Sequence, residues 1–212
     1  MEVLVHPGYF PNCLTMAVIA QRQIVWEVWD NFQKQTYRNR CYIATDQGAL
    51  LLNIPIRHVG GKTGRQGYRQ VQIENSTPWQ RQHWRSLTTA YRSAPFFEYY
   101  EEDLRPVFEK PFAYLMDLNL ETISVLCSLL ELPMPTSRSA RFETRPEEMQ
   151  DGRRLISAKE KNPISMREYP QVFQERHGFL DSKHPGKRPE KHIGYPECED
   201  WREVSRQAKG KK

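Results

Sequence analysis

The sequence predicts an α/β fold: an N-terminal βαβ unit with a mixed sheet, a β-hairpin and a C-terminal helical portion. Three observations lead there. A short apolar run at the start is followed by a proline-rich loop, a helix signal and a second apolar run. Two strand-like runs flank Asp46-Gln47-Gly48. Beyond residue 77 the apolar residues recur with helical period.

In chain order, Met1–Val5 reads as a buried strand that ends at His6-Pro7-Gly8-Tyr9-Phe10-Pro11, where two prolines and a glycine enforce a loop. Asn12 is a good N-cap for a helix over Cys13–Arg22. Gln23–Trp29 is apolar on both faces, as in an interior strand. Parallel strands of a βαβ unit end on the same sheet edge, so the His6–Pro11 and Asp30–Arg40 loops are expected side by side there. Open α/β sheets bind ligands at that edge.

Cys41–Thr45 and Ala49–Ile54 form the predicted hairpin, with Gly48 supplying positive φ and Pro55 ending it. His58–Gly67, with four glycines, reads as a surface loop, and Val71–Ile73 as a further strand. Thr77-Pro78 starts a helix that runs to about Ser93, with Trp84, Leu87 and Tyr91 on one face. Phe96–Glu109 is expected to be helical in part. Leu118–Glu131 is an amphipathic helix closed by Pro133 and Pro135.

Composition divides the 212 residues into three stretches: an α/β core over 1–135, a polar, loosely packed extension of the same domain over 136–180, and a basic tail over 181–212. The tail holds nine Lys and Arg against six Asp and Glu, so it carries +3 of the net +5. That concentration argues against nucleic acid as the partner of the core. The four cysteines, Cys13, Cys41, Cys127 and Cys198, show no metal-ligand spacing. Three sit among apolar neighbours, so a reducing, cytoplasmic setting is expected. The longest early apolar run, Cys13–Ala20, is too short to span a bilayer. Phosphate-loop, dinucleotide, nucleophile-elbow and zincin motifs do not occur.

The residues suited to bind a ligand cluster in Gln33–Arg40. Arg38 and Arg40 can fork onto phosphate or carboxylate, and Gln33, Gln35 and Asn39 can hold hydroxyls. The competing reading is a solvated loop whose arginines pair with nearby acids. Tyr9 and Phe10 are candidates for a stacking wall. His83, four residues from Trp79 on a helix face, is the candidate base. His6, which closes the first strand, is a weaker one. No metal site is expected, and the residues point to no cofactor.

Several unrelated blocks carry a family resemblance. They are His6-Pro-Gly-Tyr-Phe-Pro11, Asn31-Phe-Gln-Lys-Gln-Thr-Tyr-Arg-Asn-Arg40, Gly48 with Leu50–Pro55, Trp79, His83, Tyr91, Ala94-Pro95-Phe96-Phe97 and Asp117-Leu-Asn-Leu120. In these the chain resembles the WbqC-like protein family, well over 1–132 and weakly over 133–180. The resemblance implies an association with bacterial surface-polysaccharide and O-antigen biosynthesis. It also implies a transfer reaction on a sugar, sugar nucleotide or other phosphorylated small molecule, with Tyr37-Arg38-Asn39-Arg40 as the signature of the site. A non-catalytic component that binds glycan or a protein partner is the alternative. The chain departs from the family at His6, where Gln is usual, and after Gly178-Phe179, where a polar, basic tail replaces an apolar closing segment. An altered carboxyl terminus is therefore expected. Val5-His-Pro-Gly-Tyr9 also loosely resembles the opening of nucleotidyltransferase-like folds, with Tyr9 where those carry a second histidine.

Overall fold

The computed structural model describes residues 1–57, 66–158 and 168–180. The Gly60–Gly64 glycines and the 181–212 tail lie outside the described residues. Strand β1 (Val3–Val5) leads through the His6–Pro11 loop to helix α1 (Cys13–Gln21) and strand β2 (Ile24–Trp26). Asn12 caps α1 as its chemistry dictates, its Oδ1 accepting the Thr15 amide at 3.0 Å. β1 and β2 pair in parallel with Leu4 opposite Val25, and all six residues are buried. This is the expected βαβ unit.

The hairpin follows as β3 (Arg40–Thr45) and β4 (Gly48–Asn53), antiparallel with Thr45 opposite Gly48. Gly48 has φ +105°, a conformation open to glycine at little cost. Among the described residues β1 and β2 belong to a parallel sheet and the hairpin forms a two-stranded antiparallel one.

Three helices complete the core: α2 (Trp79–Tyr91), α3 (Phe97–Glu109) and α4 (Leu115–Leu129). Pro78 stands at the cap of α2, one place before the expected first-turn position, and the Thr77 carbonyl accepts the Trp79 amide. α4 begins three residues earlier than its apolar pattern suggested, because Leu115, Met116 and Leu118 are buried as well. Val71–Ile73 is not a regular strand. It is held by single bridges of Gln72 to Tyr114 and of Ile73 to Ile56.

Ser137 and Ser139 bond the backbone of Trp26 on either side. β5 (Gln150–Asp151) pairs in parallel with β1, giving a sheet order β2-β1-β5, and Leu155 and Ile156 are buried. A last short helix, α5 (Gln174–His177), packs Phe173 near Tyr91. Among the described residues no helix is long and apolar enough to cross a membrane.

Candidate functional site

The two loops after β1 and β2 meet as the βαβ topology requires. The Tyr9 amide donates to the Tyr37 carbonyl at 2.9 Å. Gly8 allows this approach: a Cβ there would stand 2.8 Å from Ile156 Cδ1 and 3.1 Å from the Tyr37 oxygen. The Tyr68 hydroxyl donates to the Pro7 carbonyl at 2.6 Å. Asn119 of α4 donates through Nδ2 to the Arg38 carbonyl at 2.7 Å and to the Tyr68 hydroxyl. A helix side chain thus pins both loops.

At the junction Arg38 has no exposed surface. Its Nη2 donates to Asp30 Oδ2 and to His6 Nε2, both at 2.8 Å. His6 Nε2 also stands 3.1 Å from Asp30 Oδ2, and its Nδ1 lies 3.4 Å from the Glu27 carbonyl. Burial, then the Arg38 charge, lowers the His6 pKa against the pull of Asp30. For Asp30, burial works to raise the pKa but is outweighed by His6, Arg38 and the Asn31 amide, and the carboxyl is held low. Beside this group lies Glu27, fully buried, its Oε1 accepting the Trp29 amide at 2.8 Å and the Ser139 hydroxyl at 3.1 Å. Arg153 stands 3.9 Å from its Oε2 and pairs closely with Asp151. The carboxyl edge of the sheet is therefore a compensated ion network holding loops in place.

His83 lies on the far side of Tyr9. Its Nδ1 accepts the Tyr9 hydroxyl at 2.9 Å, and Trp79 packs edge-on against its ring. Burial lowers its pKa to about 4, only partly opposed by a backbone hydrogen bond to Asn53. Tyr9 so connects the Tyr37 backbone to His83.

A cavity of about 380 Å³ opens on the other face of the loop junction. Phe10–Cys13 form one wall and Tyr37 another. The hairpin residues Cys41–Ala44 and Ala49, Tyr91 of α2, Leu126 of α4 and Tyr169–Val172 close it. It lies at the carboxyl edge of β1, beside the start of α1.

Of the sequence-predicted site residues, Tyr37 and Phe10 line this cavity. Arg38 and His6 are engaged in the ion network, and Tyr9 and His83 bond each other. Asn39 donates to the Ile54 carbonyl at 3.0 Å, and the Trp79 indole donates to Asn75. Gln33 and Gln35 are exposed, with Gln35 in a left-handed turn at φ +61°. Arg40 is half-buried, and its Nε has no partner among the described residues. Phe10 does wall the cavity, whereas Tyr9 beside it is core. Reasoning from sequence missed Tyr42, Tyr91 and Tyr169 as cavity residues and Asp30 as the anchor of Arg38. Period-two alternation from Arg40 could have drawn notice to Tyr42. Tyr169 carries no local signal. Among the described residues no cluster of three or more metal-ligating side chains occurs.

No solved structure matches the chain. It is similar to the uncharacterized protein Rv1507c of Mycobacterium tuberculosis (strain ATCC 25618 / H37Rv), 30% identical over 119 residues. That match takes in 55% of this chain, which spans about half (50%) of the relative's length. The WbqC-like protein family model matches residues 7–172, which takes in the loop junction, the hairpin, all three long helices and β5. The chain belongs to the WbqC-like protein family.

Proposed function

We propose that this protein is a cytoplasmic transferase acting on a sugar or sugar nucleotide in surface-polysaccharide biosynthesis, with its substrate seated in the cavity walled by Tyr37. One observation carries the reading: a cavity of about 380 Å³ at the carboxyl edge of β1, against the Tyr37–Arg40 loop. That volume falls in the usual range for small-molecule sites, and the position is where open α/β sheets hold ligands. Its tyrosine and phenylalanine faces suit stacking against a sugar ring. Exposed Lys34 and half-buried Arg40 are the loop cations with no ion pair among the described residues, and they suit a phosphate at the mouth. Gln33 and Gln35 suit ring hydroxyls. Arg38, His6 and His83 take positioning roles, since their polar groups are already bonded within the protein.

Calorimetric titration with a panel of UDP-, GDP- and dTDP-linked sugars tests this. Binding by the native protein that falls at least tenfold in Tyr37→Ala supports the reading, and absence of binding across the panel contradicts it. A second reading, a non-catalytic glycan-binding component, is favoured by the internal bonding of both histidines. Turnover of a bound sugar nucleotide selects the transferase. Binding without turnover when acceptor is supplied selects the second reading.

A further inference from the structure

The polar atoms around the cavity are mostly engaged within the protein. The Tyr169 hydroxyl donates to Cys13 Sγ at 3.1 Å. The Ala44 backbone bonds the Tyr91 hydroxyl. Gln171 uses both ends of its amide on Leu180, donating to its carbonyl and accepting its amide proton, each at 2.8 Å. Asn12 Oδ1 accepts both the amide and the hydroxyl of Thr15 at 3.0 Å. The Thr15 amide can only donate, so this end of Asn12 is the oxygen, and Nδ2 is left over. Among the described residues Asn12 Nδ2 and the hydroxyl of exposed Tyr42 have no hydrogen-bond partner, and both residues line the cavity. The rest of the wall includes Ile43, Ala44, Leu126, Val172 and Leu180, and no described lining residue is charged.

A ring dense in hydroxyls would bury several of them here without partners, which costs affinity. A group with one acceptor and an apolar end fits: Asn12 Nδ2 can donate to the acceptor, and the aliphatic wall can take the apolar end. We propose that the cavity recognises the acyl group of an N-acylated sugar. Asn12 Nδ2 donates to the acyl carbonyl, the acyl methyl lies against the aliphatic wall, and ring hydroxyls and phosphate stay at the mouth. This rests on the sugar-binding reading above and narrows it to a substrate class.

UDP-N-acetylglucosamine and UDP-glucose are a suitable pair of probes, because they differ only in the acylamino group. Calorimetry on the full chain is expected to give at least tenfold tighter binding of the N-acetyl probe. Asn12→Asp keeps an oxygen to cap α1 but replaces the donor with a carboxylate, so it is expected to fold with an unchanged melting temperature and lose the preference. Ala49→Phe, on the exposed hairpin wall of the cavity, is expected to weaken the N-acetyl probe selectively. Equal binding of the two probes overturns the acyl assignment and leaves the sugar-nucleotide reading standing. A preference that survives both substitutions places acyl recognition elsewhere and overturns the assignment. If neither probe binds, the acyl assignment fails, and the wider sugar-nucleotide panel decides the reading beneath it.

Discussion

Arg38 donates to Asp30 through Nη2 at 2.8 Å, and the pair is closed off where the loops after β1 and β2 meet. A buried ion pair contributes little net stability over an apolar substitute, yet removing one partner strands the other charge. Arg38→Met is therefore expected to cost about 3–5 kcal/mol, read from urea denaturation. The double variant Arg38→Met, Asp30→Asn is expected to recover part of that loss. A stable, fully folded Arg38→Met that only binds ligand more weakly would show that Arg38 serves the ligand and not the loop.

His83 makes stability depend on pH. Its folded pKa is about 4 against an unfolded value of 6.5, so the unfolded chain binds more protons between those values. The stabilising neutral ring is fully present above pH 6.5, and its contribution is lost as pH falls toward 4. The shift corresponds to about 3 kcal/mol. Denaturation midpoints of the native protein and His83→Gln, measured from pH 7.5 to 4, are expected to show a steeper acid loss in the native protein. Parallel profiles would mean that the ring is accessible to protons in the folded state.

Gly8 sits where the first loop crosses the second. A methyl group at this position meets Ile156 Cδ1 at 2.8 Å and the Tyr37 carbonyl at 3.1 Å, the oxygen that accepts the Tyr9 amide. The side chain can give way but the backbone cannot without opening the junction. Gly8→Ala is expected to destabilise by about 1–3 kcal/mol, the range for overpacking, and to lower the melting temperature by several degrees. An unchanged melting temperature would mean that the loops move apart freely.

Asn119 reaches from α4 to both loops through one amide group. Asn119→Leu leaves the Arg38 carbonyl without that donor and is expected to cost about 1–3 kcal/mol. Amide exchange is the second readout. Protection should fall at Tyr9, whose amide bonds Tyr37, more than at Val25 inside the sheet. Equal loss at both would indicate global loosening rather than release of the junction.

The meeting of the loops was legible in the sequence because it follows from chain topology: two parallel strands joined by a helix must end on one edge. The Asn12 cap and the Gly48 turn were legible because each rests on local chemistry. β5 was not, since Gln150–Asp151 is two polar residues that gain their strand geometry by pairing with Val3 and Leu4, far away in sequence. The burial of Arg38 was hidden for a similar reason. Its loop is mostly polar, and the partners that compensate it stand 8 and 32 residues earlier. The cavity draws tyrosines from a loop, a strand, a helix and the 168–180 segment, and no window of sequence spans them.

On the proposed reading, ligand binds in the tyrosine-walled cavity. Fluorine NMR of protein labelled with 3-fluorotyrosine, titrated with UDP-N-acetylglucosamine and assigned by single Tyr→Phe variants, tests it most directly. The Tyr37, Tyr91 and Tyr169 resonances are expected to shift together and saturably, while Tyr99 and Tyr100 on exposed α3 stay fixed. Saturable shifts at Tyr99 and Tyr100 with the cavity tyrosines unmoved would contradict it.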